Sequence, residues 1–367
     1  MIDLLSFMSA GIRTMILDSL KAAAGKPAQR KFLRAFLSNL GKAQKRREEQ
    51  EASGLHVPPF LIASITANCN LLCAGCYSRA NHQACGGTTG KKQLDAARWD
   101  ALFAEARELG VCFILLAGGE PMLRYDVLES AAKYPEIIFP IFTNGTLLSG
   151  QMLDFFEKHR NLIPVISLEG DRTTTDSRRG AGVYDQVAGA MAALKARRVF
   201  FGTSITVTSE NVEAVTDRDY VSGLKEMGCS LVFYVEYVPA DQISASLAPT
   251  ERERAILETN IQSLKESSGL LVISFPGDEK ETGGCLAAGR GFVHINMDGS
   301  VEPCPFSPYS DTSLKDTTLA QALRSPFLSS MREGDFLLGE HAGGCLLFDK
   351  QDQVRVLLES TTGKEAK

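Results

Sequence analysis

The sequence lacks the long hydrophobic run, the excess of positive charge and the internal repeats that would place it in several common protein classes. Residues 1–24 have an apolar period close to that of a helix, but Asp3, Arg13 and Asp18 interrupt it. We therefore expect neither a signal peptide nor a membrane span there, and no transmembrane candidate follows. The formal net charge of −5 gives no reason to expect a nucleic-acid partner. No repeat of fixed period and no low-complexity linker divides the chain.

A disulfide framework is also absent from the pattern, although the chain has 9 cysteines. The count is odd, no secretory signal precedes it, and the spacings are those of metal sites. These features predict a protein of the reducing cytoplasm. The length of 367 residues and the 44% hydrophobic content allow two or three domains, or one large α/β unit with an appendage.

The first 57 residues carry an excess of positive charge and form a predicted helical extension. They hold 10 Lys and Arg against 5 Asp and Glu. Residues 29–47 form a basic amphipathic helix, which could lie on an anionic membrane surface. The alternative, which we favour, is that these helices pack on the main domain and that the charges form a solvated face.

From residue 58 onward, apolar runs alternate with helical stretches. This alternation predicts βαβ units and a parallel sheet, and six units fit an open, partial (β/α)6 barrel over residues 58–265. The predicted strands are Phe60–Thr66, Val111–Leu116, Ile137–Thr143, Ile163–Leu168, Phe201–Thr208 and Leu231–Val238. The predicted helices are Ala96–Leu109, Tyr125–Lys133, Gln151–Lys158, Val183–Arg197 and Val212–Met227.

Three closely spaced cysteines, Cys69, Cys73 and Cys76, follow the first predicted strand. They lie on a loop that can turn all three sulfurs onto one small object. Thiolates are soft ligands that suit an iron–sulfur cluster or zinc. Both groups usually take four protein ligands, so three local sulfurs leave one coordination position open. The alternative is three unrelated buried thiols.

Polar residues recur where the next strands end, which is where parallel α/β barrels keep their chemistry. Ser167 and Glu169 share the interior face of the fourth strand, and a carboxylate there needs a partner or a ligand. A guanidinium from Arg178 or Arg179 on the next loop could bind a carboxylate in bidentate fashion. After the second strand, a glycine pair allows close backbone approach, or makes a tight turn, in the run Gly118, Gly119, Glu120 and Pro121.

Two later strands carry polar residues within apolar runs. Ser204 and Thr206 are polar at period two on the fifth strand, and we expect them to face a cofactor. Glu236 interrupts the sixth strand, either as a structural carboxylate or as a contact to substrate. The turn Thr143–Thr146 after the third strand suits a ribose or a helix start.

The cysteine spacing resembles the defining motif of the radical S-adenosylmethionine (SAM) superfamily. The resemblance implies a [4Fe–4S] cluster whose open iron is chelated by SAM, which is exchangeable. It also implies a reductant such as flavodoxin or ferredoxin, and cleavage of SAM to methionine and a 5′-deoxyadenosyl radical. Gly118, Gly119 and Glu120 resemble the family's GGEP motif, which holds the SAM amino group. The family often has an aromatic residue just before the third cysteine, whereas this chain has Gly75 there and Tyr77 just after.

The same resemblance extends to other strand ends. In the family, the position of Ser167 and Glu169 lies near the ribose and the substrate. Arg179 resembles a family arginine and could meet the SAM carboxylate.

A second set of cysteines, Cys285, Cys304 and Cys345, lies in residues 266–350, before a C-terminal tail of residues 351–367. A β-hairpin turning at Asp298-Gly299 is predicted between the first two. The pattern resembles the first half of the SPASM extension, or its shorter "twitch" relative, which implies an auxiliary iron–sulfur cluster. The alternative is three structural thiols. The candidates for a fourth ligand are Cys229, Asp278, Glu279 and His294.

Three functions therefore follow from the sequence. The first is a radical SAM oxidoreductase acting on a peptide, a protein or a small cofactor precursor. The second is an iron–sulfur electron carrier or sensor without radical chemistry, which does not explain the polar residues at the strand ends. The third, a membrane-surface binding protein, rests on residues 1–47 alone.

Overall fold

The computed structural model describes residues 4–80, 92–239, 244–275, 282–338 and 345–363. Its centre is one nine-stranded sheet with the order β7-β6-β5-β4-β3-β2-β1-β8-β9. Strands β1 to β8 pair in parallel, and β9 is antiparallel to β8. The strands are β1 (Phe60–Thr66), β2 (Phe113–Gly118), β3 (Phe139–Thr143), β4 (Leu162–Ser167), β5 (Gly202–Val207), β6 (Leu231–Glu236), β7 (Leu271–Phe275), β8 (Phe292–Ile295) and β9 (Val301–Glu302).

The helices cover the outer face of this sheet, which is why β4 is buried at every position. Several begin at a side-chain cap, such as Asp95 before α4 and Thr250 before α11. The helices are α1 (Leu4–Ala22), α2 (Pro27–Ala52), α3 (Tyr77–Ala80), α4 (Ala96–Leu109), α5 (Tyr125–Ala132), α6 (Gly150–Lys158), α7 (Arg172–Arg179), α8 (Val183–Ala196), α9 (Val212–Val215), α10 (Arg218–Glu226), α11 (Glu251–Ser267), α12 (Leu319–Ala322), α13 (Pro326–Glu333), α14 (Leu346–Asp349) and α15 (Gln351–Thr362).

This architecture confirms the predicted α/β partial barrel with N-terminal helices and a C-terminal hairpin. The single helix predicted over Val212–Met227 is wrong, because the structure has α9 and α10 there. Asp217 lies between them with extended backbone, and its side chain accepts hydrogen bonds from the amides of Asp219 and Tyr220. A carboxylate that caps the start of a new helix also ends the previous one. The spacing of the apolar residues continues through Asp217, so it did not indicate this break.

The N-terminal helices pack across the amino-terminal end of the barrel. Phe36 of α2 is 1% exposed and meets Phe113 of β2 edge-on, with ring centroids 5.8 Å apart. Ile12 and Ile16 of α1 belong to the same buried cluster. This packing favours the interpretation that the extension serves the main domain. None of the described helices combines the length and the hydropathy that a bilayer span requires.

The C-terminal segment joins the barrel sheet rather than standing apart. Strand β8 pairs in parallel with β1, so that Phe292 lies opposite Phe60. At the other edge, β7 pairs with β6. Phe275 of β7 contacts Phe292, with ring centroids 5.6 Å apart, and this contact brings the two edges of the barrel together. The domain boundaries at 57/58, 265/266 and 350/351 stay predictions.

Candidate functional site

The first cysteine loop leaves the carboxyl end of β1, and among the described residues its cysteines form no disulfide bond. N–H groups point at two of the sulfurs. The Cys69 sulfur lies 3.4 Å from the amide nitrogen of Leu71 and 3.9 Å from Nδ2 of Asn144. The Cys73 sulfur lies 4.0 Å from Nη1 of Arg179. Hydrogen bonds to the sulfurs are a common feature of iron–sulfur clusters that cysteines ligate. The donor set therefore fits the iron–sulfur cluster that the sequence predicts.

The glycine pair at the carboxyl end of β2 allows two backbones to touch. The amides of Gly119 and Glu120 donate to the carbonyls of Thr66 and Asn68, each over 2.7 Å. A Cβ at position 119 would lie 2.1 Å from the Asn68 carbonyl oxygen, and one at Gly118, where φ is +122°, would lie 2.4 Å from that of Thr66. The glycines thus dock the end of β2 onto the start of the cysteine loop.

Glu120 is buried, and both of its carboxylate oxygens are used inside the protein. Thr143 Oγ1 and the amide of Asn144 each donate to it over 2.8 Å, and the amide of Met122 donates over 3.0 Å. Burial raises the pKa of this carboxyl, although these hydrogen bonds act in the opposite direction. Glu120 therefore fixes the turn after β3, and its contact to the SAM amino group stays a prediction.

An amide network that the sequence did not single out ties the cysteine loop to the turn after β3. Asn144 Nδ2 donates to Asn70 Oδ1 over 2.8 Å, and Asn70 Nδ2 donates to Thr146 Oγ1 over 2.8 Å. The Thr146 hydroxyl closes the ring on Asn144 Oδ1 at 2.7 Å. The signal in the sequence that could have indicated this network is the amide side chain of Asn70, which lies between Cys69 and Cys73.

The interior carboxylate of Glu169 is paired as its position demanded. Arg178 and Arg179 both bind its Oε1, and the amide of Thr206 donates to Oε2 over 3.0 Å. Burial alone would raise the pKa of Glu169, but the two guanidinium groups outweigh it and hold that pKa below its usual value. Arg179 thus places its charge between Glu169 and Cys73, and its contact to the SAM carboxylate stays a prediction.

The remaining strand-end residues lie as follows. The hydroxyls of Ser167 and Ser204 are 3.2 Å apart, and Thr206 Oγ1 accepts from Arg178 over 2.9 Å. Arg254 Nε donates to Glu236 over 2.6 Å. This ion pair favours a structural carboxylate at Glu236.

These elements surround a cavity of about 830 Å³ that occupies the barrel interior. At the carboxyl ends of the strands, the lining includes the three cysteines, Gly118, Gly119, Ser167 and Arg179. Farther in, the lining is apolar, and inward-facing Phe142, Phe233, Val235 and Ile273 are only half-buried. The volume is within the range of small-molecule sites. In contrast to the packed centre of a closed eight-stranded barrel, this interior can admit a ligand.

The C-terminal cysteines come together although 60 residues separate the first from the last in the sequence. Burial and the adjacent thiols of Cys345 and Cys285 raise the pKa of Cys304 far above its ordinary value, and Cys304 and Cys345 are hydrogen-bonded. In the described ranges, no three His, Cys, Asp or Glu side chains are grouped to hold a single metal ion.

The structure argues against two of the four candidates for a fourth ligand of the auxiliary cluster. Both ring nitrogens of His294 are engaged, by Ser64 Oγ at 2.8 Å and by Glu302 Oε2 at 2.7 Å. Cys229 precedes β6, at the amino-terminal end of the barrel near Lys26. Asp278 and Glu279 lie outside the described residues.

The two sets of cysteines adjoin through an aromatic contact. Tyr77 follows Cys76, and Phe306 lies two residues after Cys304. Their ring centroids are 5.2 Å apart in an edge-to-face arrangement. Burial, and then the thiols of Cys76 and Cys304, raise the pKa of Tyr77. A group bound by one set of cysteines would therefore lie near a group bound by the other.

Comparison with known proteins identifies the domain that carries the first cysteine loop. Residues 63–219, which carry this loop and strands β2 to β5, match the family model of the Radical SAM superfamily. These residues form a radical SAM domain. This confirms the predicted enzyme class, which implies a [4Fe–4S] cluster and SAM. The roles of individual site residues stay predictions.

Known proteins match most of the chain at lower identity. The AdoMet-dependent heme synthase of Methanosarcina barkeri is 26% identical over 279 residues, which are 68% of this chain and 78% of that protein. The PqqA peptide cyclase of Gluconobacter oxydans is 26% identical over 303 residues, which are 76% and 80% of the two chains. The crystal structure of Streptococcus suis SuiB has a TM-score of 0.63 at 16% identity, covering 80% of this chain and 72% of SuiB. That likeness shows a shared fold.

Proposed function

We propose that this chain is a radical SAM oxidoreductase with two iron–sulfur clusters, which modifies a peptide, a protein or a small cofactor precursor. The observation that carries the proposal is the meeting of the two thiol sets across the Tyr77–Phe306 contact, beside a cavity lined by the strand-end residues. An electron carrier or sensor would have no use for a cavity of this size next to its first cluster.

Cys69, Cys73 and Cys76 would hold the first cluster and leave one iron for SAM. When bound there, the reduced cluster would supply the electron for reductive cleavage of SAM, the chemistry that starts removal of a hydrogen atom from substrate. The protein positions and shields these groups. Buried Glu169 neutralises one of the two positive charges that Arg178 and Arg179 bring into the cavity, and the apolar lining keeps water away from the reacting atoms.

Cys285, Cys304 and Cys345 would hold the auxiliary cluster of a twitch-like segment. The contact between Cys304 and Cys345 supports this assignment, because these residues lie on separate segments that meet in the fold. Relatives whose names specify heme synthesis and cyclisation of a peptide support a substrate that is a cofactor precursor or a peptide.

The decisive experiment is an anaerobic turnover assay on protein with reconstituted clusters. With dithionite as reductant, we expect SAM to be converted to 5′-deoxyadenosine by the wild type and not by Cys73→Ser. Cys112→Ser is the matched control, because Cys112 is buried beside Arg47 and away from the cavity lining. Absence of 5′-deoxyadenosine from fully loaded wild-type protein would contradict the proposal. Absence of SAM binding by calorimetry would favour the electron carrier instead.

A further inference from the structure

The cavity extends along the whole barrel, from the cysteine loop to the amino-terminal ends of the strands. The first and last residues of β6, Leu231 and Glu236, both line it. Strands rise about 3.3 Å per residue, so the cavity is about 16 Å long in the direction of this strand. Its lining also includes Lys21, Lys265 and Glu266, which are exposed near the start of the barrel. The cavity therefore reaches the protein surface at the end opposite to the cysteines.

The inward-facing side chains of the amino-terminal half are apolar and leave this space unfilled. Phe60 and Leu271 begin β1 and β7, and Phe233 and Ile273 lie opposite each other two residues into β6 and β7. All four line the cavity and are only half-buried, although they lie inside the barrel. Protein interiors are normally packed as densely as organic crystals, and an unfilled apolar cavity lowers stability. Apolar cavities of this kind bind apolar molecules.

Helix α1 completes the apolar wall where β7 and β8 meet. In the described sheet, β7 is an edge strand and β8 pairs with β1 and β9, so β7 and β8 meet through side chains. Helix α1 contacts β7, and Met8 lines the cavity beside β8, with its Cε 3.3 Å from the position of a Cβ at Gly291. Methionine side chains are flexible and adapt to apolar molecules of different shapes. The N-terminal extension thus gives the apolar half of the cavity an adaptable wall.

The polarity of the lining changes along the cavity. At the carboxyl ends of the strands, Ser167, Arg178 and Arg179 line it, and Glu169 balances one of the two guanidinium charges. In the apolar half, a peptide or a sugar would bury polar groups without partners, which destabilises a complex. A hydrocarbon chain has no such groups. The cavity as a whole therefore suits an amphipathic molecule with its polar end at the cysteines.

We propose that the amino-terminal half of the cavity binds a hydrocarbon chain of the substrate, either fatty acyl or isoprenoid, whose polar end lies toward the cysteines. This inference rests on the proposed function, within which it favours a small molecule with a long apolar chain. Carbon–carbon bonds are about 1.5 Å long, so an extended zigzag chain of about 12 carbons spans the cavity. Each methylene buried there contributes about fourfold to affinity, and methylenes beyond the cavity stay in water.

The test is a chain-length series, measured by anaerobic calorimetry on cluster-loaded protein without SAM. The probes are octanoate, decanoate, dodecanoate and tetradecanoate. We expect affinity to rise about fourfold per methylene up to dodecanoate and then to level off. Leu271→Trp fills the far end of the cavity, so it should weaken dodecanoate binding at least about tenfold, the loss of about two methylenes, and leave octanoate unchanged. Val356→Trp is the matched control, because it adds the same side chain at an exposed position on α15 and should bind as wild type does.

A second variant keeps the test valid if Leu271→Trp does not fold. Leu271→Phe adds less volume and should weaken dodecanoate binding about fourfold, again without a change for octanoate. Farnesol and dodecanol share an alcohol head and separate the two sources, since tighter binding of farnesol assigns an isoprenoid chain and tighter binding of dodecanol an acyl chain.

Two results would overturn the inference. One is an affinity of wild type that does not depend on chain length. The other is an equal loss for octanoate and dodecanoate in a Leu271 variant with the iron content and melting midpoint of wild type. Wild-type protein that shows the chain-length dependence but forms no 5′-deoxyadenosine from SAM would instead refute the proposed function and leave the hydrocarbon site in place.

Discussion

Replacing Glu169 with glutamine should destabilise the barrel strongly, although the side chain keeps its shape. Glu169 is 1% exposed at its side chain, and its partners Arg178 and Arg179 are 19% and 10% exposed. The substitution leaves two guanidinium groups near each other without the buried negative charge that balances them. Removing one partner of a buried ion pair typically costs about 3 to 5 kcal/mol, because the remaining charge stays out of water.

The size of the effect on melting follows from the chain length. Unfolding entropy is about 2.1 cal/mol/K per residue near 60 °C, or about 0.8 kcal/mol/K for a chain of this length. A cost of about 3 to 5 kcal/mol therefore lowers the midpoint by about 4 to 6 °C. The measurement is a thermal melt followed by circular dichroism at pH 7, with wild type and Glu169→Gln at equal iron content.

Asp185→Asn is the matched control, because Arg172 and Asp185 also form an arginine–carboxylate pair, but with side chains 56% and 63% exposed. We expect this change to move the midpoint by less than about 1 °C, since exposed pairs contribute little. Similar shifts for the two variants would refute the reasoning, because burial would then not decide the cost.

The pH dependence of the Glu169 effect has a definite sign. The folded-state pKa of Glu169 is held below its usual value, so its contribution is fully present above the unfolded pKa of about 4.3. As the pH falls below that value and through the folded pKa, the carboxylate becomes protonated and the contribution is lost. The difference in midpoint between wild type and Glu169→Gln should therefore be constant from pH 6 to 8, as checked by melts across that range. A difference that grows as the pH falls would contradict the sign.

Three further changes test other parts of the structure. Cys304→Ser should lower the iron content to that of the first cluster, about four atoms per chain, whereas Cys112→Ser should keep the wild-type iron content, as measured by colorimetric iron assay. Phe36→Ala should lower the melting midpoint by about 4 to 6 °C through the cavity it leaves, without loss of iron; an unchanged midpoint would show that α2 does not support the barrel. Gly119→Ala should prevent the cysteine loop from docking and reduce iron, whereas Gly189→Ala, with open space at its Cβ position, should not; equal iron in both would refute the docking argument.

The strands of the barrel were predictable because each is a continuous apolar run. Strand β1 begins and ends where the sequence placed it, and the other five predicted strands differ from the structure by two residues or fewer at each end. A strand of a parallel sheet is covered on both faces, so its sequence is a continuous apolar run rather than an alternation of apolar and polar residues. The break at Asp217 was missed because one capping carboxylate outweighed a helical period that continued through it.

The site was predictable where chemistry depends on spacing along the chain, and not where it depends on contacts between distant segments. The loop Cys69–Cys76 is local, so its pattern is visible in the sequence. The pairing of β8 with β1 joins residues more than 200 positions apart, and no local signal marks it. For the same reason, no local pattern indicates that Tyr237 lies against Gly75, although the absence of an aromatic residue at position 75 is visible in the sequence.

Helices α1 and α2 make the cavity of the barrel depend on residues that are distant from its cysteines in the fold. Their side chains Ile12, Ile16 and Phe36 belong to the buried cluster at the amino-terminal ends of the strands. Residues of α1, among them Met8 and Met15, also line the cavity that reaches the cysteine loop at the carboxyl ends of the strands. The N-terminal extension is therefore part of the wall of this cavity, although it lies at the opposite end of the barrel from the cysteines.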